Sequence, residues 1–276
     1  MSTLVPEYQP IIQVTDLTTH YGSRKILNGI SLTVNKGEIM VIMGGSGSGK
    51  STLLRHLIGL EQPTSGNIKL LGHNIGAMTE QEMNQFYRKL GVAFQSGALF
   101  SSMTVGKNIM LPLQEHTKLD QKTMAIMVRL KLEVVNLAGF EDLMPSELSG
   151  GMLKRAAFAR GVIMDPVLLF CDEPSAGLDP VVSASLDELI LRLRDALDMT
   201  IVVVTHELES AFRIADRITV LDKGDILTIG TVDEVRASDN RRIQDLLTRH
   251  FEEEVLDPDE YMARLTGESQ GTLTHA

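Results

Sequence analysis

Nine consecutive residues, Gly44-Gly45-Ser46-Gly47-Ser48-Gly49-Lys50-Ser51-Thr52, have the types and spacing needed to hold phosphate. They fit G-x-x-x-x-G-K-[ST], with glycine at both required places and more between them. Glycines let backbone N–H groups turn inward around phosphate oxygens at a range that a Cβ would forbid. Lys50 can bridge β- and γ-phosphates, and the Ser51 hydroxyl can ligate Mg²⁺. At about 7% glycine usage such a match arises by chance in roughly one chain in a hundred of this length, so context must decide against a plain Gly/Ser surface loop. Glu38 to Met43 reads as a buried strand leading in, and Leu53 to Leu60 as an apolar helix leading out. The helix N-terminus adds its positive pole to the anion site.

A second anion-seeking helix N-terminus follows Leu148-Ser149-Gly150-Gly151-Met152, where adjacent glycines open a helical run from Leu153 to Met164. Since the chain already has one phosphate cradle, the question is whose phosphate this one serves. Val167 to Cys171 is an apolar strand capped by Asp172 and Glu173. Acids at the end of a buried strand are costly unless metal or water chemistry uses them. Asp172 suits Mg²⁺ held through water, and Glu173 suits the polarising of an attacking water; the plainer alternative is a pair of acids capping the next helix. His206 follows the strand Thr200 to Thr205 at its carboxyl end, where α/β sheets place ligands, although a lone histidine there is more often structural. Tyr21 is open between stacking on a purine base and half-burial in a strand.

The bulk properties narrow the class. The 276 residues suffice for a full core. An excess of 36 acids over 26 bases, net −10, argues against a broad nucleic-acid surface. The single cysteine, Cys171, excludes an internal disulfide and a cysteine metal cluster, and its apolar setting predicts core packing. Met1 to Pro10 has no signal-like pattern, and no apolar run approaches the roughly 18 residues that cross a bilayer. A soluble, intracellular subunit is expected, with any membrane spanning left to another polypeptide.

These groups must be positioned by the elements between them. Ile11 to Val34 alternates and predicts a small antiparallel sheet, with a further strand over Gly66 to Leu71. Thr79 to Lys89 reads as a polar helix, and Gly91 to Phe94 as a buried strand ending at Gln95. From about 96 to 153 the chain predicts a mostly helical insertion, in which Met127, Leu130, Val134 and Leu137 share one face and are expected in the core. Arg217 to Ile229 predicts a hairpin around Lys223-Gly224, followed by two short helices. From Glu252 to Glu268, seven acids face one base, Arg264.

Taken together and in this order, the motifs resemble the nucleotide-binding subunit of an ABC transporter over about residues 11 to 240. Tyr21 matches the aromatic A-loop, Gly44 to Thr52 the Walker A loop, Gln95 the Q-loop, and Leu148 to Met152 the family signature. Leu168 to Asp172 matches the Walker B strand, Glu173 the catalytic glutamate, Ser175 to Asp179 the D-loop, and His206 the switch histidine. The signature departs at Met152, usually glutamine, whose thioether cannot make an amide's polar contacts. The wording of Phe94 to Phe100 and Pro145 to Met152 is similar to the ATPases of Mla (maintenance of lipid asymmetry) phospholipid transporters of Gram-negative bacteria.

The resemblance implies an α/β fold: a P-loop NTPase (RecA-like) parallel sheet with an N-terminal antiparallel β-subdomain and a helical subdomain. The domain would span 8–240, leaving 241–276 as an acidic extension for a dimer or partner contact. ATP and Mg²⁺ would be bound by two copies lying head to tail, each Walker A loop facing the other's Ser149, Gly150 and Gly151, with Asp179 also at the nucleotide. Ser51, Gln95 and Asp172 would set Mg²⁺; Lys50, Glu173 and His206 would be catalytic. The implied partners are an integral-membrane permease, a periplasmic MCE-domain lipid-binding protein and a cytoplasmic STAS-domain protein, with the chain peripheral on the cytoplasmic face of the inner membrane. Leu99, Phe100 and Met103 are expected to face the permease, and Tyr261, Met262 and Leu265 a neighbouring subunit. The competing readings are an ATPase for another cargo, a non-transport ABC ATPase, and a soluble P-loop kinase or GTPase, which leaves the signature unexplained.

Overall fold

Alternating apolar residues fold the N-terminal segment into a long antiparallel hairpin, β1 (Pro10–Tyr21) and β2 (Arg24–Asn35). The computed structural model of the chain describes residues 9–248. The readings made for Tyr261, Met262, Leu265 and the acidic stretch lie outside the described residues.

Strand β3 (Ile39–Met43) follows, then α1 (Lys50–Leu57), β4 (Ser65–Leu70) and the two-residue β5 (His73–Asn74). The first sheet runs β2-β1-β4-β5. Helix α2 (Glu80–Tyr87), opened by a Thr79/Glu82 capping box, leads to β6 (Leu90–Ala93). The helical segment then supplies α3 (Val105–His116), α4 (Gln121–Val134) and α5 (Gly150–Gly161). Strand β7 (Leu168–Asp172), α6 (Pro180–Leu197), β8 (Thr200–Thr205), α7 (Leu208–Ile214), the hairpin β9 (Arg217–Asp222) and β10 (Asp225–Gly230), α8 (Val232–Arg236) and α9 (Arg241–Thr248) complete the described chain.

The second sheet has six strands in the order β10-β9-β3-β8-β7-β6, parallel throughout except for β10 against β9. Its central strands are apolar at nearly every position because both faces are covered. Side chains divide by parity. Met40, Ile42, Phe170, Val202 and Val204 join α1 and the antiparallel sheet in one core cluster. Val41, Met43, Leu169, Cys171, Ile201 and Val203 join the helices in the other. Burial raises the Cys171 thiol well above its ordinary pKa, which suits packing and not chemistry.

One expectation needs correction. The buried face of α4 is Met124, Val128 and Leu132, whereas Leu130 and Val134 of the predicted core stripe are 56% and 42% exposed. The helix is apolar on two sides, so periodicity alone could not choose which side turned inward. Ile243 of α9 is buried in the same cluster as the sheet, and helix α5 runs unbroken across residue 153.

Candidate nucleotide site

The loop between β3 and α1 is shaped by glycines at two positions where nothing larger fits. A Cβ on Gly44 would lie 2.1 Å from the Leu221 carbonyl oxygen. Gly49 caps α1 at φ +103°, and its Cβ would lie 2.7 Å from Leu27 Cδ2. The turn of the β9–β10 hairpin steadies this loop: Gly224 N–H donates to Ser48 O at 3.0 Å, and Gly224 O accepts from Asn28 N–H at 2.8 Å. Lys50 is buried, and its Nζ donates to Gly44 O at 2.8 Å and Gly45 O at 2.9 Å. An ammonium has three protons, so it retains one for a further acceptor. Burial lowers the Lys50 pKa, opposed first by the charge of Glu173 and then by that of Asp172. Ser46, Gly47 and Ser51 are exposed, Thr52 is buried, and Ser48 Oγ is buried without a partner.

Strand register brings the distant groups together. Met43 pairs with Thr205, and Asp172 with Val204, so three neighbouring parallel strands end side by side. Glu173 N–H donates to Val204 O at 2.8 Å. The Glu173 carboxylate accepts from Thr205 Oγ1 at 3.2 Å and His206 N–H at 3.4 Å, and both its oxygens lie 2.9 Å from His206 Nδ1. Glu173 adopts φ +45°, a left-handed conformation that costs a non-glycine residue about 1–3 kcal/mol and needs such surroundings to persist. Burial, then the neighbouring Glu173 charge, raises the pKa of Asp172.

Gln95 is exposed and lines a cleft of about 670 Å³ with Phe94, Ser96, Ala98, Asp172 and Ala176. Asp172 Oδ1 is buried and unpartnered. That orphaned oxygen, the Ser51 hydroxyl and the Gln95 amide are hard oxygen donors that suit a hydrated Mg²⁺. No group of three His, Cys, Asp or Glu side chains among the described residues could hold a metal.

Tyr21 is 47% exposed at the end of β1, and its hydroxyl donates to Glu61 Oε2 at 2.6 Å. Arg55 pairs with the same carboxylate at 3.2 Å. Ser149 and Gly150 are exposed at the start of α5, with the Ser149 hydroxyl accepting from Met152 N–H at 3.4 Å. Ideal Cβ atoms on Gly150 and Gly151 would meet Leu178 and Val182, and no hydrogen bond or ion pair among the described residues joins 149–151 to the loop 44–52. The Met152 side chain packs against the helical core. The Asp179 carboxylate caps α6, accepting from Val181 and Val182 N–H at 3.0 Å each.

Sequence reading passed over three positioning groups: Thr205, Glu61 and Lys154. Lys154 is buried, with Nζ donating to the carbonyls of Gln95 and Glu173. Its signal was a lysine in a helix otherwise built for burial, beside Ala156, Ala157 and Phe158.

A family model described as ABC transporter matches residues 27–176. The chain is 41% identical over 237 residues to the intermembrane phospholipid transport system ATP-binding protein MlaF of Escherichia coli K12, covering 86% of this chain and 88% of that one. It is 39% identical over 236 residues to the probable ribonucleotide transport ATP-binding protein mkl of Mycobacterium tuberculosis H37Rv, covering 86% and 66%. Among solved structures it resembles the ATP-binding cassette MJ0796, a dimer in a post-hydrolysis state bound to ADP and Pi, with a TM-score of 0.74, 28% identity and coverage of 80% and 98%.

Proposed function

The chain belongs to the ABC transporter family as its ATP-binding, ATP-hydrolysing subunit, and from that premise we propose that it drives an inner-membrane permease moving phospholipid between the inner and outer membranes. The observation that carries the energetic half is the pair of helix N-termini, α1 and α5, with no bond between them among the described residues. Each completes its site on a second copy, an arrangement supported by the dimeric cassette it resembles. Near-full-length likeness to MlaF supports the cargo. No helix among the described residues is long and apolar enough to cross a membrane, which fits a peripheral subunit gripping a permease on the cytoplasmic face. A periplasmic MCE-domain protein and a cytoplasmic STAS-domain protein complete the proposed assembly. The deciding experiment reconstitutes the full chain with its permease and follows labelled phospholipid into acceptor vesicles. ATP-dependent lipid transfer is the expected result; ribonucleotide uptake with no lipid movement overturns the cargo.

In the proposed mechanism, Lys50 and the loop N–H groups hold the β- and γ-phosphates, and Ser149 with the Gly150 and Gly151 amides closes on the γ-phosphate from the opposing copy. Glu173 takes the proton of the in-line water. His206 orients that carboxylate through Nδ1 and would contact the γ-phosphate once its Nε2, 3.5 Å from Glu207 Oε1, turned from that side chain. Ser51, Gln95 and Asp172 would hold Mg²⁺, which supplies charge neutralisation on the phosphates when bound. Hydrolysis removes the shared phosphate, and the copies separate.

Tyr21 offers an exposed ring whose hydroxyl is anchored to Glu61. Tyr21→Ala is expected to weaken ATP and ADP binding by the worth of one base–aromatic stack, about 1–3 kcal/mol, with little change in turnover at saturating ATP. Equilibrium binding of both nucleotides checks this; unchanged affinity removes the stacking role.

Phe100 is 52% exposed, yet its backbone is pinned: Asn108 Oδ1 accepts from its N–H at 2.7 Å, and Asn108 Nδ2 donates to its carbonyl at 3.1 Å. Leu99 is half-buried against the core, so Phe100 is the better probe of a permease surface. Phe100→Asp should reduce co-purification with the permease at least tenfold, about 1.4 kcal/mol or more, and leave nucleotide affinity unchanged. Loss of both together would signify misfolding and remove the contact.

A further inference from the structure

Lys154 is a buried cation for which the chemistry above has no task. It lies one turn into α5, and its Nζ donates to carbonyls from two separate segments, that of Gln95 and, at 3.0 Å, that of Glu173. A lysine is taken out of water at considerable cost unless acceptors replace its hydration. The acceptors here belong to two segments that border the chain's own nucleotide site. Burial lowers the Lys154 pKa, and the charges of Glu173 and then Asp172 oppose that fall. Farther along the same helix, Arg160 donates to Ala98 O at 2.6 Å and to Gly97 O at 2.9 Å. Helix α5 thus holds the segment after β6 through two cationic side chains.

The opposite end of α5 presents exposed Ser149 and Gly150. We propose that Lys154 is a positioning residue that couples the two nucleotide sites of the dimer, tying the helix that closes on the partner's phosphate to the Gln95 and Glu173 segments of its own site. The inference rests on the two-copy reading above. As α5 moves onto the opposing γ-phosphate it travels as a rod, and Lys154 carries both carbonyls with it. Glu173 is where such a pull has leverage, because its φ of +45° is held by its surroundings and not by intrinsic preference.

The test measures ATP hydrolysis against ATP concentration for the full chain assembled with its permease, as wild type, Lys154→Met and Lys154→Arg. Two coupled sites give the wild type a Hill coefficient above 1 and at most about 2. Lys154→Met should bring it to about 1 and lower kcat about tenfold or more through misplacement of Glu173, while nucleotide affinity of the isolated subunit stays within about twofold. Lys154→Arg keeps a cation and donors for both carbonyls, and should restore most of the cooperativity. A cooperative wild type with an equally cooperative Lys154→Met overturns the coupling role alone, and a non-cooperative wild type overturns it together with the two-copy reading. If Lys154→Met loses nucleotide binding or thermal stability, Lys154→Arg decides: cooperativity retained supports the role, and cooperativity lost in a folded, ATP-binding chain overturns it.

Discussion

Glu173→Gln is expected to bind ATP with near-normal affinity and hydrolyse it about 10²- to 10⁴-fold more slowly, a loss of about 3–5 kcal/mol in transition-state stabilisation. The replacement isolates the proton transfer. A glutamine carbonyl can still accept from Thr205 Oγ1, the bond now made by Glu173 Oε2 at 3.2 Å, and the backbone bond to Val204 O does not involve the side chain. The left-handed backbone at this position is no worse for Gln than for Glu, so stability should change little. What disappears is a carboxylate able to accept the water's proton. Phosphate release measures the rate, and equilibrium nucleotide binding measures the affinity. Because bound triphosphate then persists, the variant should also accumulate as an ATP-dependent dimer in sedimentation. Turnover within about threefold of wild type would remove Glu173 from the base's role.

Gly150→Asp tests the other half of the mechanism. Gly150 opens α5 and is exposed, and a Cβ there would meet Leu178 Cδ2 at 3.4 Å, an ordinary contact. A carboxylate in the first turn is favourable to the helix itself, by about 0.3–1 kcal/mol, since it meets the positive pole of the macrodipole. The folded chain should therefore be as stable as wild type or slightly more so. Its single-copy ATP affinity should also be intact, because residues 149–151 make no bond to the chain's own phosphate loop. Hydrolysis should fall at least about 100-fold, since the new carboxylate faces the partner's γ-phosphate, and like charges brought together at an interface cost several kcal/mol. Thermal unfolding, nucleotide binding at low protein concentration and phosphate release separate these effects. Normal turnover would mean that the second helix N-terminus serves no phosphate. Gly151 is the poorer choice for this experiment: a Cβ there would lie 2.6 Å from Val182 Cγ1 and disturb the chain's own packing.

The contrast between α4 and the phosphate loop shows where sequence reading reaches its limit. The loop's glycines, lysine and flanking strand and helix are all legible within about twenty residues, although the contacts that require Gly44 and Gly49 come from Leu221 and Leu27. The same periodicity argument selected Met127, Leu130, Val134 and Leu137; Leu137 is buried and Met127 packs against the core, but Leu130 and Val134 are exposed, and α4 buries Met124, Val128 and Leu132. Its hydrophobic residues spread too widely around the helix for spacing to identify the inner face. The orientation is set by α3 and α5, which a local window does not contain. Met152 shows a related limit. Its chemistry was readable as a loss of polar contacts, but only the packed structure shows the thioether serving the helical core.

The sequence alone determined which chemistry the chain can perform, because a phosphate cradle, an acid pair at a strand end and a glycine-led helix N-terminus depend on residue types a few positions apart. The tertiary structure alone decided which of these groups act on one another. Glu173 meets His206 across 33 residues, and Lys154 reaches Gln95 across 59. Such meetings depend on the register of parallel strands and on the depth to which a helix packs. Those are properties of the whole sheet and core, set by many weak contacts at once, and no short stretch of residues contains them.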